Sequence, residues 1–260
     1  MTCRSRHHVD RWSEGEPAGR RRRPHGRPRR AGGLLFATLL ITASLASSAE
    51  AASVPLGTAD SFAVLAGTTV TNTGPSVISG DLGVSPGAAV TGFPPGTVTA
   101  GTIHAADAVA LQAQGGLTTA YNDAAGRSST ATISSDLAGS TLGPGVYTSA
   151  SSLGLSGDLT LDARGDPSAV FVFQAGSTLT AGSGSRVLLV GGAQPCNVFW
   201  QVGSSATIGT TSASAGNILA LTSISLTTGA TLNGRALARN GAVTLDTNTI
   251  TKAADRKSVV

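Results

Sequence analysis

Three short segments near the carboxyl end share one alternating pattern of apolar and hydroxyl side chains. They are Ala206-Thr207-Ile208, Ile224-Ser225-Leu226 and Val243-Thr244-Leu245, and their centres lie 18 and 19 residues apart. Side chains alternate between the two faces of a strand, so the flanking residues are expected to point inward and the hydroxyl outward. Strands of this form that stack on one another would present a ladder of hydroxyls on a flat surface.

Earlier parts of the chain extend the ladder. Leu159-Thr160-Leu161 and Ser177-Thr178-Leu179 have a similar form, and Thr69-Val70-Thr71 alternates with Val70 inward. Gly209 and Asp246 take outward positions where the ladder lacks a threonine. The outward residues that we expect to form the surface are Thr69, Thr71, Thr160, Thr178, Thr207, Ser225, Thr227 and Thr244, with Thr228 and Thr231 at a corner as a second choice.

A nearly continuous apolar strand precedes each hydroxyl segment. The strands are residues 169–173, 197–202, 218–221 and 236–238. Continuous apolarity is typical of strands that are buried on both faces. A third short segment, such as residues 230–234, completes a quasi-repeat of about 18 residues, and fixed-period repeats of this kind indicate a solenoid. Three strands per turn predict a mostly β, triangular solenoid.

One stretch, from about residue 103 to 125, favours a helix. Small and apolar residues recur in it at spacings of three and four. Thr102 is expected to cap its start and Gly126 to end it. Gly115 and Gly116 each weaken it by about 1 kcal/mol relative to alanine. Its stripe of small residues predicts close packing on a flat surface, which the apolar strands supply.

The first 52 residues have the three parts of a secretory signal peptide. An arginine-rich stretch precedes an apolar run at residues 34–46, and Ala49-Glu50-Ala51 offers a small-x-small cleavage site. We therefore expect a signal peptide over residues 1–52, a solenoid domain over residues 53–251 and a loose tail over residues 252–260. The protein is expected to be secreted and extracellular.

Charge separates the leader from the exported domain. Residues 1–52 hold ten arginines against four acidic residues, a net charge of +6, whereas residues 53–260 hold eight basic and ten acidic residues, a net charge of −2. The exported domain therefore lacks the cationic field that attracts nucleic acid. We expect no nucleic-acid partner, no membrane association after cleavage and a monomer.

The exported domain offers no residue set suited to catalysis. His104 is its single histidine, so a zinc site of ordinary ligand spacing is not expected. Asp158 and Asp162 are four residues apart along a strand, about 13 Å if extended. That separation exceeds the one that glycosidase carboxylates need. We predict no catalytic residue, no metal and no cofactor.

Longer motifs resemble the microbial ice-binding (antifreeze) protein family. They are Gly-Asp-Pro-Ser-Ala-Val-Phe-Val-Phe-Gln at residues 165–174, Cys-Asn-Val-Phe-Trp-Gln-Val-Gly-Ser-Ser-Ala at 196–206 and Asn-Gly-Arg-Ala-Leu-Ala-Arg at 233–239. The resemblance covers roughly residues 56–251. It implies a right-handed, triangular, discontinuous parallel β-solenoid with one long α-helix along one face, in which N-terminal strands such as residues 69–71 lie beside the C-terminal coils.

The same resemblance implies binding to an ice crystal surface through one flat β-face. Some members carry a Thr-Ala/Gly-x-Thr/Asn motif, which Thr228-Gly229-Ala230-Thr231 fits once. Other turns fit it poorly, so the expected activity against ice growth and recrystallisation is moderate. The alternative is a cell-surface or matrix adhesin-like solenoid that binds polysaccharide. Such sites generally present aromatic platforms, whereas the pattern assigns Phe171, Phe173, Phe199 and Trp200 to the interior.

Overall fold

The structure is a computed structural model that describes residues 52–253. The expected signal peptide lies outside the described residues except for Ala52, and the expected tail lies outside them after Ala253. Seven strands precede the helix: β1 (Phe62–Ala66), β2 (Thr69–Thr73), β3 (Val77–Ser79), β4 (Asp81–Val84), β5 (Ala89–Thr91), β6 (Thr97–Thr99) and β7 (Ile103–Ala105). Helix α1 spans Ala108–Gly126. Short 3₁₀ helices span Gly57–Ala59 and Pro195–Asn197.

Fifteen strands follow the helix within the described range. They are β8 (Ala131–Thr132), β9 (Thr141–Leu142), β10 (Gly145–Ser149), β11 (Leu153–Leu155), β12 (Asp158–Asp162), β13 (Phe171–Ala175), β14 (Leu179–Ala181), β15 (Arg186–Val190), β16 (Val198–Val202), β17 (Ala206–Ile208), β18 (Ala213–Ala220), β19 (Ile224–Leu226), β20 (Thr231–Ala238), β21 (Val243–Asp246) and β22 (Thr249–Thr251).

The strands stack, all in parallel, into three faces of a coil. The helix-side face has the order β8-β10-β13-β16-β18-β20-β1-β4-β7. The threonine face has the order β11-β14-β17-β19-β21-β2-β5. The third face has the order β9-β12-β15-β18-β20-β22-β3-β6. The expected mostly β, triangular solenoid is confirmed.

Strands β18 and β20 belong to two faces because each bends in the middle. Gly216 and Gly234 are register partners at this bend and have positive φ angles of 107° and 156°. A Cβ on Gly234 would overlap the carbonyl oxygen of Gly216. Glycine is therefore required at this corner both for its conformation and for the close approach of the backbones.

The stacking order departs from the chain order, as a discontinuous solenoid requires. Strand β1 lies between β20 and β4, β2 between β21 and β5, and β3 between β22 and β6. The coils formed before the helix thus extend the stack beyond the last coil of the chain. Strand β7 lies at one end of the helix-side face and β8 at the other.

The helix carries the chain back along the stack. Its 19 residues span about 28 Å. The nine strands of the helix-side face cover about 38 Å at ordinary strand spacing. Helix and flanking loops together therefore bridge the two ends. Within the described residues, no helix is both long enough and apolar enough to cross a membrane.

Apolar strands on the helix-side face bury both of their surfaces. In β13, Phe171 and Phe173 point into the core inside the coil, while Val172 packs in a second core with Leu117 and Tyr121 of the helix. Phe173 stacks on Trp200 of the next coil, with ring centroids 4.2 Å apart. Two cores explain why the apolar runs do not alternate with polar residues.

The helix begins at Ala108, so the expected start near residue 103 is wrong. Ile103–Ala105 instead forms β7 and pairs with β4. Ala106 has a φ of 53°, which breaks any continuation into a helix. The cap is not Thr102 but Asp107, whose carboxylate accepts a 2.8 Å hydrogen bond from the Ala110 amide. This bond, together with one from His104, holds the pKa of Asp107 below its ordinary value.

Polar side chains of the sheet hold the other half of the helix. Gln174 donates from Nε2 to the carbonyls of Ala124 at 2.8 Å and Arg127 at 2.9 Å. Its register partner Gln201 donates to the Tyr121 hydroxyl at 2.8 Å. The bonds from Gln174 satisfy carbonyl groups at the carboxyl end of the helix, where a helix leaves them free. The helix therefore ends at Gly126 with its last turn anchored.

A buried arginine ties the N-terminal segment to the C-terminal coils. Arg235 is 1% exposed. Its Nη2 donates to Asp60 Oδ1 at 2.8 Å, and its Nη1 donates to Asn217 Oδ1 at 2.8 Å. Burial lowers the pKa of Arg235, and the neighbouring Asp60 carboxylate opposes that shift. Arginine nevertheless stays charged in proteins, so its partners must remain in place.

We predict that Asp60→Ala lowers the free energy of unfolding by about 3–5 kcal/mol, because it leaves a buried guanidinium without its carboxylate. Chemical denaturation measures the change. The matched control is Asp158→Ala, which removes the partner of the exposed Arg186 and is expected to change stability little. Equal effects of the two substitutions would contradict the assigned role of Asp60.

The two glycines in the helix face different surroundings. Gly116 lies against the N-terminal segment, where a Cβ would come within 2.7 Å of Thr58 Oγ1 and 2.9 Å of the Leu56 carbonyl oxygen. A Cβ on Gly115 would meet nothing within 4 Å. Gly116 therefore permits close packing, whereas Gly115 has no packing reason to be glycine.

We predict that Gly115→Ala raises the free energy of unfolding by about 1 kcal/mol, through helix propensity alone. Gly116→Ala is expected to lower it, because the added methyl group meets backbone atoms that cannot rotate away. Thermal and chemical denaturation of both variants test the pair. Equal stabilisation by the two substitutions would be inconsistent with close contact at Gly116.

Candidate functional site

One file of outward positions runs the length of the threonine face. We call it the central file. Register pairing aligns its members, one from each strand of the face. In stacking order they are Gly154, Thr180, Thr207, Ser225, Thr244, Thr71 and Thr91.

The sequence places these residues outward by burying their neighbours. In β17, Ala206 and Ile208 are each 1% exposed while Thr207 between them is exposed. The same alternation holds in β21, with Val243 and Leu245 buried around Thr244. A slip of one residue would turn the aliphatic side chains out to solvent. The core therefore fixes the position of each hydroxyl.

The hydroxyls of the central file are free for water. Within residues 52–253, the structure shows no internal hydrogen bond from the side chains of this file. Its threonines are exposed, and Ser225 is half-buried. From Thr180 to Thr91 the file crosses six strands, or about 24 Å. The result is a regular row of methyl and hydroxyl groups.

Several of the expected residues flank this file and are engaged elsewhere. Thr178 donates from Oγ1 to Ser152 Oγ at 2.9 Å. Thr227 donates to the Ile208 carbonyl at 3.0 Å, and Thr228 donates to the Asp246 carboxylate. Thr69 lies half-buried beside Thr71 at the edge of the face. These residues border the central file, and three of their hydroxyls serve the fold.

Two expected residues lie on a different face. Thr160 belongs to β12 on the third face, where it pairs with Leu188 and Thr141. Thr231 begins β20 on the third face and pairs with Thr249 and Ala213. Placing Thr160 in one ladder with Thr207 is therefore wrong. The cause is that strands of the threonine face and of the third face alternate in the same way, so alternation separates inward from outward positions but does not identify the face.

Two members of the central file, Thr180 and Thr91, are not predicted by the sequence pattern. Thr180 lies one alternation beyond Thr178, and the pairing of Leu179 with Ala206 shows that Thr180 is the partner of Thr207. Thr91 lies in the short strand β5 and joins the file through its pairing with Thr71. Outward alternation was visible at Thr178 and Thr180 alike. The choice between them needed the register.

The two interruptions of the ladder have structural causes. A Cβ on Gly209 would lie 2.5 Å from the backbone carbon of Gly182, so the neighbouring coils approach too closely for a larger residue. Asp246 accepts hydrogen bonds from the Thr228 and Thr247 hydroxyls and so holds the turn after β21. Both residues lie beside the central file and leave it continuous from Thr180 to Thr91.

Asp158 and His104 both have structural partners. Asp158 pairs with Arg186 across neighbouring strands, with a 2.5 Å contact between Oδ2 and Nη2. The hydrogen bond from Arg186 holds the pKa of Asp158 below its ordinary value. His104 bonds to Asp107 through Nδ1 at 2.7 Å, at the start of the helix and away from the threonine face.

The sequence and the fold are similar to those of known proteins. A sequence model described as ice-binding-like matches residues 64–251. An ice-binding protein of Nostoc sp. (strain HG1) is 54% identical over 222 residues, which cover 84% of this chain and 82% of that protein. One of Flavobacterium frigoris (strain PS1) is 39% identical over 214 residues, 76% of each chain.

The fold is also similar to that of a solved ice-binding protein structure. The crystal structure of an ice-binding protein from an Antarctic biological consortium superposes with a TM-score of 0.78 at 54% identity, covering 80% of this chain and 95% of that one. That protein shares with the present chain a fold of stacked parallel strands with one helix. The chain belongs to the ice-binding-like protein family.

Proposed function

We propose that this chain is a secreted ice-binding protein that adsorbs to ice through the threonine face and inhibits ice growth and recrystallisation. One observation carries the proposal: within residues 52–253, an in-register row of outward hydroxyls has no internal side-chain hydrogen bonds, and it lies on a face whose inward residues are buried in every strand but the end strand β5. The family membership and the naming of its relatives support the same function. The Arg-rich leader and apolar run of residues 1–52 support secretion.

The physical basis is a rigid template for water. Each threonine offers a methyl group and a hydroxyl group, and its β-branch restricts χ1 in a strand. Spacings of about 4.8 Å between strands and about 7 Å along them form a two-dimensional grid. Water held on this grid can join a growing lattice. Since the grid is fixed by the core, little conformational entropy is lost when ice forms on it.

The sites proposed for ice contact follow from this geometry. The central file comes first, with Thr71, Thr207, Ser225 and Thr244 from the sequence pattern and Thr91 and Thr180 from the register. Thr69, Thr178 and Thr227 border it. The proposal includes a monomer that acts without catalysis, metal or cofactor, and without nucleic-acid or membrane partners. Asp246 at the edge and the gaps at Gly182 and Gly209 are consistent with moderate activity.

The four aromatic side chains assigned to the interior offer no platform for polysaccharide. Phe171, Phe173, Phe199 and Trp200 are each at most 4% exposed. Stacking on sugar rings needs an exposed aromatic side chain. A pull-down on ice, run beside pull-downs on cellulose and chitin, separates the two functions. Retention on a glycan without partitioning into ice would support the adhesin.

We predict that Thr207→Tyr removes most of the thermal hysteresis of the purified protein. The bulky ring would project from the middle of the central file and hold the flat face away from the ice surface. Thermal hysteresis and recrystallisation inhibition measure the effect. The matched control is Thr160→Tyr, the same change at an outward strand position on another face, which is expected to retain the activity of the parent protein.

Equal loss of activity in both variants, with unchanged melting temperatures, would argue against the threonine face. So would full activity of Thr207→Tyr. Thermal melting of each variant confirms that the coil is intact.

A second prediction separates neighbouring threonines of one strand region. Thr180→Ala is expected to reduce hysteresis more than Thr178→Ala, because the Thr180 hydroxyl is free for water whereas the Thr178 hydroxyl is bonded to Ser152. Both variants lose one hydroxyl and one methyl group, so each is the control of the other. A larger loss with Thr178→Ala would place the centre of the contact outside the central file.

A further inference from the structure

A cleft interrupts the third face of the coil. Strand β15 pairs with β12 along its whole length but with β18 only through Arg186 and Ala213. Past that pair a cleft of about 420 Å³ opens, with β15 on one side and β18, β20 and β22 on the other. Small-molecule sites in proteins have volumes of this order.

The floor of the cleft is apolar because it is a part of the core that the neighbouring strand leaves uncovered. Val187 and Leu189 pack against the core yet stay partly exposed, since none of the described strands pairs with them on the side of β18. The buried residues Leu232 and Ala215 complete the lining. Beneath the floor, Val187 and Trp200 line a void of about 10 Å³. An apolar group placed in the cleft would therefore be removed from water.

A half-buried lysine stands at one end of the cleft. There an adjoining cavity of about 340 Å³ continues past Leu189 and is lined by Lys252, Asn233 and Thr251. Over residues 52–253, the structure shows no ion pair and no side-chain hydrogen bond for Lys252, and the side chains of Asn233 and Thr251 are likewise unbonded. None of the residues that line the two cavities is acidic. The lysine charge at this end therefore lacks a counterion in the described part of the chain.

The opposite end of the cleft is closed, and the charge there is already paired. Arg186 forms the strand pair that closes the cleft, and its guanidinium donates to both carboxylate oxygens of Asp158, at 2.5 Å and 3.0 Å. An anionic group is therefore attracted to the Lys252 end. Three residue steps along β22, from Thr249 to Lys252, give the cleft a length of about 10 Å. An extended alkyl chain of about eight carbon atoms spans that distance.

We propose that the cleft binds a free medium-chain fatty acid, with the alkyl chain on the apolar floor and the carboxylate at Lys252. The ammonium group supplies the opposite charge, and the side chains of Asn233 and Thr251 donate further hydrogen bonds to the carboxylate. A neutral sugar would leave the lysine charge without a counterion, and an inorganic anion would leave the apolar floor uncovered. The site lies on the third face, so the inference does not depend on ice binding by the threonine face.

Isothermal titration calorimetry of the exported domain, residues 53–260, with fatty acids of increasing length tests the site. Decanoate, kept below its micelle concentration, is expected to bind as one molecule per chain. From hexanoate to decanoate each added methylene group is expected to strengthen binding roughly fourfold. The gain is expected to end near decanoate, because the chain then reaches the closed end of the cleft. Trp200, the only tryptophan of residues 53–260, provides a second readout through its fluorescence.

A charge variant tests the position of the carboxylate. Lys252→Gln is expected to weaken decanoate binding by about tenfold or more, because the carboxylate loses its charged partner. The same variant is expected to bind 1-decanol, which has the same chain without the charge, as the parent protein does. Arg164→Gln removes an exposed cation that lines neither cavity. It is the matched control and is expected to keep the parent affinity for both ligands.

Three results would overturn the proposal. One is the absence of saturable decanoate binding to the folded parent protein. Another is an affinity that keeps rising beyond dodecanoate, which indicates non-specific association with apolar surface. The third is equal decanoate affinity in Lys252→Gln and the parent protein. Melting temperatures of the variants show whether a lost signal reflects the cleft or the fold, and thermal hysteresis is measured separately, so failure here leaves the proposed function untouched.

Discussion

Burial of the inward aliphatic side chains controls the register of the strands in the middle of the stack, and the rest of the structure depends on it. Val70, Ile208, Leu226 and Val243 are at most 1% exposed. Turning such residues outward by a slip of one position would expose them all at once. The buried residues therefore fix the outward position of the residues next to them in each strand. An exposed threonine keeps its position because the aliphatic residues on either side of it must remain buried.

The helix and the buried arginine solve the problem that discontinuous stacking creates. A coil whose first strands lie beside its last ones needs a connection that runs back along the stack, and the helix supplies it across the helix-side core. It also needs the N-terminal segment to dock firmly. Arg235 achieves this by binding Asp60 and Asn217 in one buried network. The helix and the Arg235 network both lie away from the threonine face and do not interrupt its flat surface.

The sequence carried the repeat, the inward-outward alternation and the family motifs. These were enough to predict a triangular solenoid with one helix and to select Thr71, Thr207 and Thr244. Alternation has a period of two on both the threonine face and the third face, so it could not place Thr160 on the third face or choose Thr180 over Thr178. The helix start was missed for a similar reason. Ile103–Ala105 is compatible with either state locally, and its pairing with β4 decides in favour of a strand.

The junction between β21 and β2 has a consequence for folding. Thr244 and Thr71 are partners across this junction although 173 residues separate them in the chain. Contacts between residues far apart in the chain slow folding, because the entropy cost of closing a long loop comes before the contact contributes any stabilising free energy. A chain synthesised from its N-terminus cannot complete the threonine face until the last coil has been made. The proposed ice-contact surface is therefore among the last parts of the molecule to form, and a chain truncated before β21 would lack the centre of that surface rather than its edge.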